Sequence, residues 1–159
     1  LQPNSLYCPL DLACIGSSYP MALGVKLACP ERPVISISGD GGFMMNVQEI
    51  ETALRWNIPV IALVMNNNSW ASEKSYQKYF YGERYVEADI TNPRLDKLMD
   101  LFGGKGFYLD RADDLSKALK EALTLSVPSL IEIPVDPKEF PFPARAADVL
   151  KNKKRTSQT

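Results

Sequence analysis

The chain has no histidine in its 159 residues. That removes Ser–His and Cys–His nucleophilic schemes, which have no base without the imidazole. Proton transfer must then come from carboxylates, Lys, Tyr, a cofactor or another chain. Cysteine is scarce too: only Cys8, Cys14 and Cys29, an odd number with no Cys-x-x-Cys spacing. Without His these make a poor zinc site, and reduced thiols of a cytoplasmic protein are the simpler reading. No apolar run approaches the roughly 18 residues that span a bilayer, and no signal peptide is visible, so no membrane partner is expected. Net charge is −1, and no basic cluster precedes the run Lys151-Asn152-Lys153-Lys154-Arg155, so nucleic acid is not an expected partner either. The dinucleotide fingerprint Gly-x-Gly-x-x-Gly is absent, and the chain has no internal repeat.

What is present suits one globular domain: 45% of residues are hydrophobic and 23% charged, enough for a sizeable core. Residues 1–142 are expected to form that domain and 143–159 a polar, flexible tail. The start at Leu1, without Met and in loop-like sequence, suggests a segment of a longer polypeptide or a small separate subunit. Ser17 or Ser18 can cap a helix with Pro20 in its first turn, ending near Cys29-Pro30. Val34 to Ser38 alternates and is rich in β-branched residues, a strand, with Gly39-Asp40-Gly41-Gly42 as the turn after it. From Phe43 to Trp56, Met44, Val47, Ile50, Ala53 and Leu54 recur at helical spacing. Val60 to Met65 is a buried strand ended by Asn66-Asn67-Asn68, and Trp70 to Tyr79 forms a further helix. Residues 80–92 are an irregular excursion. Asn92-Pro93 opens a helix running to Phe102 and closed by Gly103-Gly104. Phe107 to Leu109 is a short strand, Leu115, Leu119, Ala122 and Leu123 mark an amphipathic helix, and Leu130 to Val135 is the last strand. Strands alternating with helices imply an α/β fold, a doubly wound parallel sheet with helices on both faces.

In such sheets ligands sit at the carboxyl ends of the strands, where helix N-termini point free N–H groups outward. Gly39, Gly41 and Gly42 let backbone turn sharply and approach a phosphate with no Cβ in the way. Asp40 among them would repel a phosphate unless a cation lay between, and a hard divalent cation with oxygen ligands resolves the conflict. Residues 42 to 65 separate Gly41 from Asn66-Asn67, one helix and one strand, so both turns can share an edge of the sheet. Asp40, an amide oxygen of Asn67 and a nearby backbone carbonyl would give three ligands. Two diphosphate oxygens and a water would complete the octahedron that Mg2+ prefers. Either motif alone reads as an ordinary turn; the pair at this spacing carries the argument.

At these residues the chain resembles the thiamine diphosphate-dependent enzymes, whose signature is Gly-Asp-Gly, about two dozen residues, then Asn-Asn. The resemblance runs from about Leu10 to Phe142 and implies the domain that binds the cofactor's diphosphate and Mg2+. It implies Asp40, Asn67 and the carbonyl of Ser69 as metal ligands, and Gly41 and Gly42 as N–H donors to the diphosphate. Ile15-Gly16-Ser17-Ser18-Tyr19-Pro20 is similar to the upstream loop that places an apolar residue under the bent cofactor. Ile15 would fill that role, against ordinary core packing as the alternative, and the carbonyl of Ala13 would accept from the aminopyrimidine.

Within that superfamily, Asn68 to Lys74 most resembles the sulfoacetaldehyde acetyltransferases, which carry Trp-Gly-Ala-Glu-Lys after the metal loop. Ala71 and Ser72 depart from that pattern. The same stretch also matches the Tyr-x-x-Glu-Lys of pyruvate decarboxylase-like enzymes, while acetolactate synthases share the region from Phe43 to Pro59 but lack the Glu-Lys pair. The resemblance implies Glu73 as the catalytic proton donor or acceptor; a solvated Glu favoured by the helix dipole is the alternative. Trp70 would wall the substrate pocket or simply pack, and Lys74 would meet a phosphate or sulfonate or stay exposed. The substrate is then a small 2-oxo acid or a sulfonated aldehyde. The Glu that activates the cofactor in this family lies on a separate pyrimidine-binding domain, in the same polypeptide or another chain. A homodimer or tetramer is therefore expected, with the isolated chain inactive.

Overall fold

The structure is a computed structural model and describes residues 5–8 and 14–139. The cofactor contact expected of Ala13 and the tail expected over 143–159 lie outside the described residues. Contacts divide the chain into two units, one of Leu1–Asn66 with Asn92–Pro134 and one of Asn67–Thr91 with Val135–Thr159.

The first unit is built on a parallel sheet of β1 (Ile35–Gly39), β2 (Ile61–Asn66), β3 (Lys105–Tyr108) and β4 (Ser129–Pro134), in the order β1-β2-β4-β3. Its helices are α1 (Ser18–Ala28), α2 (Asp40–Met44), α3 (Glu49–Arg55), α5 (Leu95–Phe102) and α6 (Leu115–Ala122), the last entered through a 3-10 turn at Ala112–Asp114. Successive strand residues point to opposite faces, and β2 and β4 are apolar on both. Ala62, Val64 and Leu130 pack with Tyr19, Leu23, Phe43, Ile50, Leu95 and Met99 on one face. Ile61, Leu63, Ile131 and Ile133 pack with Leu115, Ala118, Leu119 and Ala122 on the other. This is the doubly wound α/β arrangement expected from the alternating pattern.

Several elements differ in detail from the sequence reading. Gly39-Asp40-Gly41-Gly42 is not a free turn, because Asp40 is already the first residue of α2. The helix expected from Phe43 to Trp56 is two helices, with turn residues 45–48 between them. There the bonds run three residues back, as in Asn46 N–H to Phe43 C=O and Glu49 N–H to Asn46 C=O. Such tight turns keep nearly the same side inward, so Met44, Val47 and Ile50 still reach one core and the apolar spacing does not reveal the break. Ser17 stands at the start of α1 without capping it; its hydroxyl donates to Cys14 C=O at 2.8 Å instead. Ser18 ties α1 to β1 by donating to Ile37 C=O at 2.9 Å. Gly103 closes α5 with φ of 100°, the left-handed conformation that glycine adopts without strain.

The second unit contains α4 (Ala71–Phe80) and the irregular stretch after it. Gln77 clamps that stretch, with its Nε2 donating to Val86 C=O at 2.9 Å and its Oε1 accepting from Val86 N–H at 2.8 Å. Tyr76 and Phe80 stack with centroids 5.3 Å apart. No helix among the described residues is long and apolar enough to cross a membrane.

Candidate functional site

In the first unit, Gly39 pairs in register with Met65, so the residues that follow β1 and those that end β2 lie side by side at the carboxyl edge of the sheet. Gly39 is extended, with φ −77° and ψ 164°, and the chain enters α2 directly from it. First-turn N–H groups, those of Gly41 and Gly42 among them, have no partner inside a helix. The absence of side chains at both positions leaves these groups open to close approach.

A second loop is fastened beside this turn. Gly16 has φ of 86°, and a Cβ there would meet Asn46 Nδ2 at 2.6 Å and Met45 Cβ at 2.8 Å, so glycine is required both by conformation and by space. Its carbonyl accepts from Asn46 Nδ2 at 3.0 Å, and its N–H nitrogen lies 4.0 Å from where a Cβ on Gly42 would stand. The Cys14–Ser17 turn thus brings Gly16, and Ile15 before it, beside the loop glycines, with Ile15 52% exposed in this unit.

Asp40 is only 1% exposed. Its Oδ2 accepts from Asn92 Nδ2 at 2.6 Å. The same amide nitrogen lies 3.4 Å from Asn66 Oδ1, and Asn66 Nδ2 donates to Glu132 Oε1 at 2.7 Å. Glu132, 2% exposed in the middle of β4, accepts on Oε2 from the N–H groups of Leu95 at 2.8 Å and Asp96 at 3.1 Å. A buried carboxylate in a sheet is costly unless fully hydrogen-bonded, and here it caps the start of α5. Arg94 holds the neighbouring Asp96 by two hydrogen bonds, 2.8 Å and 3.0 Å, and lies 3.7 Å from the centroid of the Tyr108 ring. Burial works to raise the Asp96 carboxyl, but the Arg94 hydrogen bond and charge, with the Lys97 N–H and Glu132, hold it below the ordinary carboxylate value.

In the second unit, Asn67 Oδ1 accepts from Ser69 N–H at 3.1 Å, and Asn68 takes φ of 53° to let the chain turn. An isolated antiparallel bridge joins Ser69 to Asp89, through Trp70 N–H to Ala88 C=O at 2.8 Å and Ile90 N–H to Asn68 C=O at 2.9 Å. The flanking residues make those bonds, so the Ser69 carbonyl stays outside the ladder. Ser69 Oγ is buried without a hydrogen-bond partner. Trp70 is half-buried and Glu73 is exposed in the first turn of α4. Lys74 is not the exposed lysine of the simpler reading: its side chain is 14% exposed and its ammonium pairs with the Asp89 carboxylate at 2.5 Å.

The structure therefore gathers Ile15, Gly39, Asp40, Gly41 and Gly42 in the first unit, and sets Asn67, Ser69, Trp70 and Glu73 along one short stretch of the second. Among the described residues no three His, Cys, Asp or Glu side chains cluster as a metal site. A cation at Asp40 would thus draw its other oxygens from amides, carbonyls or a ligand. The sequence reading missed Asn46, Asn92 and Glu132. Glu132 had a signal, a charge inside the apolar run Leu130 to Ile133, which demands a buried partner.

Residues 1–133 match the family model described as "Thiamine pyrophosphate enzyme, C-terminal TPP binding domain". The sulfoacetaldehyde acetyltransferase of Alcaligenes xylosoxydans xylosoxydans is 33% identical over 126 residues, covering 79% of this chain and 21% of that protein. A probable acetolactate synthase large subunit of Methanocaldococcus jannaschii is 36% identical over 138 residues, covering 86% and 23% respectively. The solved structure of the thiamine diphosphate-dependent 4-hydroxybenzoylformate decarboxylase of Rhodococcus jostii RHA1 superposes with a TM-score of 0.73 at 27% identity, over 81% of this chain and 24% of that one. The chain belongs to the thiamine pyrophosphate enzyme family and is its C-terminal, cofactor-binding domain. It spans about a fifth to a quarter of the length of these relatives, 21% and 23% of the two curated ones.

Proposed function

We propose that this domain holds the diphosphate of thiamine diphosphate through a bound Mg2+, with Asp40, the Asn67 amide oxygen and the Ser69 carbonyl as its protein ligands. The observation that carries the reading is Asp40: a carboxylate 1% exposed at the strand edge, first in a helix whose next two residues are glycines. A diphosphate beside that carboxylate needs a cation between them. The donor set fits one. Asn67 Oδ1 keeps a lone pair after accepting from Ser69 N–H, the Ser69 carbonyl lies outside its ladder, and hard oxygen ligands suit Mg2+. Gly39 and the N–H groups of Gly41 and Gly42 cradle the phosphates. Ile15 supports the cofactor's rings from the loop at Gly16, the Ala13 carbonyl receives its aminopyrimidine, and Trp70 lines the substrate side.

Thiamine diphosphate supplies a thiazolium electron sink for breaking a bond beside a carbonyl. Glu73 is the residue we assign to move a proton there; its exposure in the first turn of α4 leaves its carboxylate accessible to a substrate. The reaction proposed is acyl transfer of the sulfoacetaldehyde acetyltransferase kind, with sulfite released and the acetyl group passed to phosphate, which the Glu73-Lys74 pair and the Alcaligenes relative support. The pairing of Lys74 with Asp89 takes away one anion contact for that substrate. The acetolactate synthase relative and the decarboxylase structure favour a second reading, a 2-oxo acid decarboxylase or carboligase. In either, a pyrimidine-binding domain and a homo-oligomer complete the site, in a cytoplasm that suits three free thiols.

Calorimetry on the full-length protein tests the cofactor reading. Asp40→Ala should abolish Mg2+-dependent binding of thiamine diphosphate, and unchanged binding would sink the metal assignment. Assaying the full-length protein with sulfoacetaldehyde plus phosphate against pyruvate separates the two reactions: acetyl phosphate formation supports the first, and turnover of pyruvate alone overturns it.

A further inference from the structure

A chain of polar side chains runs through the first unit from Asp40 to the start of α5. Asp40 and Glu132, both nearly inaccessible, are joined through two amides. Asn92 Nδ2 reaches Asp40 Oδ2 at 2.6 Å and Asn66 Oδ1 at 3.4 Å, and Asn66 Nδ2 reaches Glu132 Oε1 at 2.7 Å. The orientation of both amides follows from chemistry, since an ionised carboxylate only accepts and the NH2 group alone can face it. Each amide therefore has one permitted direction, and the chain runs one way only. At its far end Glu132 Oε2 is fixed by two backbone N–H groups, those of Leu95 and Asp96, which cannot rotate away. An anchor in regular backbone is thus transmitted over three side-chain contacts to the Asp40 carboxylate.

We infer that Asn92 is a positioning residue for the metal: it holds the Asp40 carboxylate in the orientation in which that group binds the cation, and Asn66 and Glu132 hold Asn92. The inference rests on the reading of Asp40 as a metal ligand. Partners that hydrogen-bond a metal-binding carboxylate set its orientation, and their loss typically lowers metal affinity by about 10–100-fold. Asn92 also stands three residues before α5 and belongs to neither motif, so its amide does work that its place ahead of Pro93 does not require.

The test uses the full-length protein at saturating thiamine diphosphate with Mn2+ as the probe, its dissociation constant read by electron paramagnetic resonance. The melting temperature of each variant is measured without metal or cofactor. Asn92→Ala should raise the Mn2+ dissociation constant by about 10–100-fold and alter the Mn2+ line shape, with the metal-free melting temperature close to wild type. Asn92→Ser, which returns a donor, should recover part of the affinity, and it also serves if the alanine variant does not fold. Asp40→Ala is the arm that separates the two claims. If it leaves Mn2+ binding unchanged, the reading of Asp40 as a ligand fails. If it abolishes binding while both Asn92 variants stay within about twofold of wild type, the positioning role alone is wrong. A weakened affinity matched by a large fall in metal-free melting temperature, with no recovery in Asn92→Ser, assigns Asn92 a merely structural role and overturns the inference as well.

Discussion

Gly106 in β3 lies so close to α5 that the same substitution has opposite expected signs at two glycines. A Cβ at Gly106 would stand 1.9 Å from Asp96 O, 2.5 Å from Asp96 C and 2.8 Å from Asp96 Cα. All three atoms are backbone, so no side chain can swing aside. Reaching ordinary contact at 3.4 Å requires β3 and α5 to part by about 1.5 Å. That displacement strains the Gly106 N–H bond to Asp100 Oδ1, now 2.8 Å, and the Asp96 N–H bond to Glu132, now 3.1 Å. Overpacking of this kind costs about 1–3 kcal/mol, and each strained hydrogen bond adds about 1 kcal/mol. The loss of freedom in the unfolded chain returns about 0.4–1 kcal/mol. Gly106→Ala should therefore destabilise the chain by about 2–4 kcal/mol. Gly24, in the middle of α1, has nothing within 4 Å of its missing Cβ, and Gly24→Ala should stabilise by about 0.5–1 kcal/mol. Urea unfolding followed by far-ultraviolet circular dichroism measures both. A Gly106→Ala variant within about 0.5 kcal/mol of wild type would refute the packing argument, since no relaxation available to backbone atoms is that cheap.

Two further outcomes concern charge. The folded Asp96 carboxyl is held below its ordinary value, so its contribution is complete above the usual carboxylate range of about 4 and is lost as pH falls through the lower folded value. Asp96→Asn should be less stable than wild type at neutral pH, with the gap closing on acidification; a gap that stays constant from pH 7 to the acid limb counts against the Arg94 pairing as its cause. Glu73→Gln should lower kcat of the full-length enzyme by about 10²–10⁴-fold while calorimetry shows thiamine diphosphate affinity unchanged; a kcat close to wild type returns Glu73 to the role of a solvated helix-start residue.

The frame of the domain was legible because its signals are local. β1, β2 and β4 are short β-branched and apolar runs between breakers, and Gly103 ends α5 in the left-handed conformation expected of a closing glycine. The break between α2 and α3 was not legible, because residues 45–48 tighten the helix without moving the apolar face. The burial of Lys74 was not legible for a different reason: its partner Asp89 lies 15 residues away across an irregular excursion with no periodicity to place it. Gly39 to Gly42 could be found from spacing, but what fixes Asp40 could not, since Asn92 is 52 residues further along the chain and looks in sequence like a helix opener. Local propensity reveals elements, and spacing reveals which strand ends can be neighbours. Hydrogen bonds between distant side chains follow only once the sheet order is known.

That dependence makes the strand-end signature a poor candidate for transplantation. Copying Gly39 to Gly42 and Asn66-Asn67 into another parallel sheet would carry the visible letters of the site and leave behind its foundations. The amide at position 92 and the carboxylate at position 132 come from the next crossover and from β4, the strand beside β2. A recipient scaffold would have to supply a helix beginning at the height of Leu95 and Asp96, above a strand with an acid at its centre. What works as a unit in this domain is accordingly an arrangement of three strands and a helix start, of which the short motif is only the exposed end.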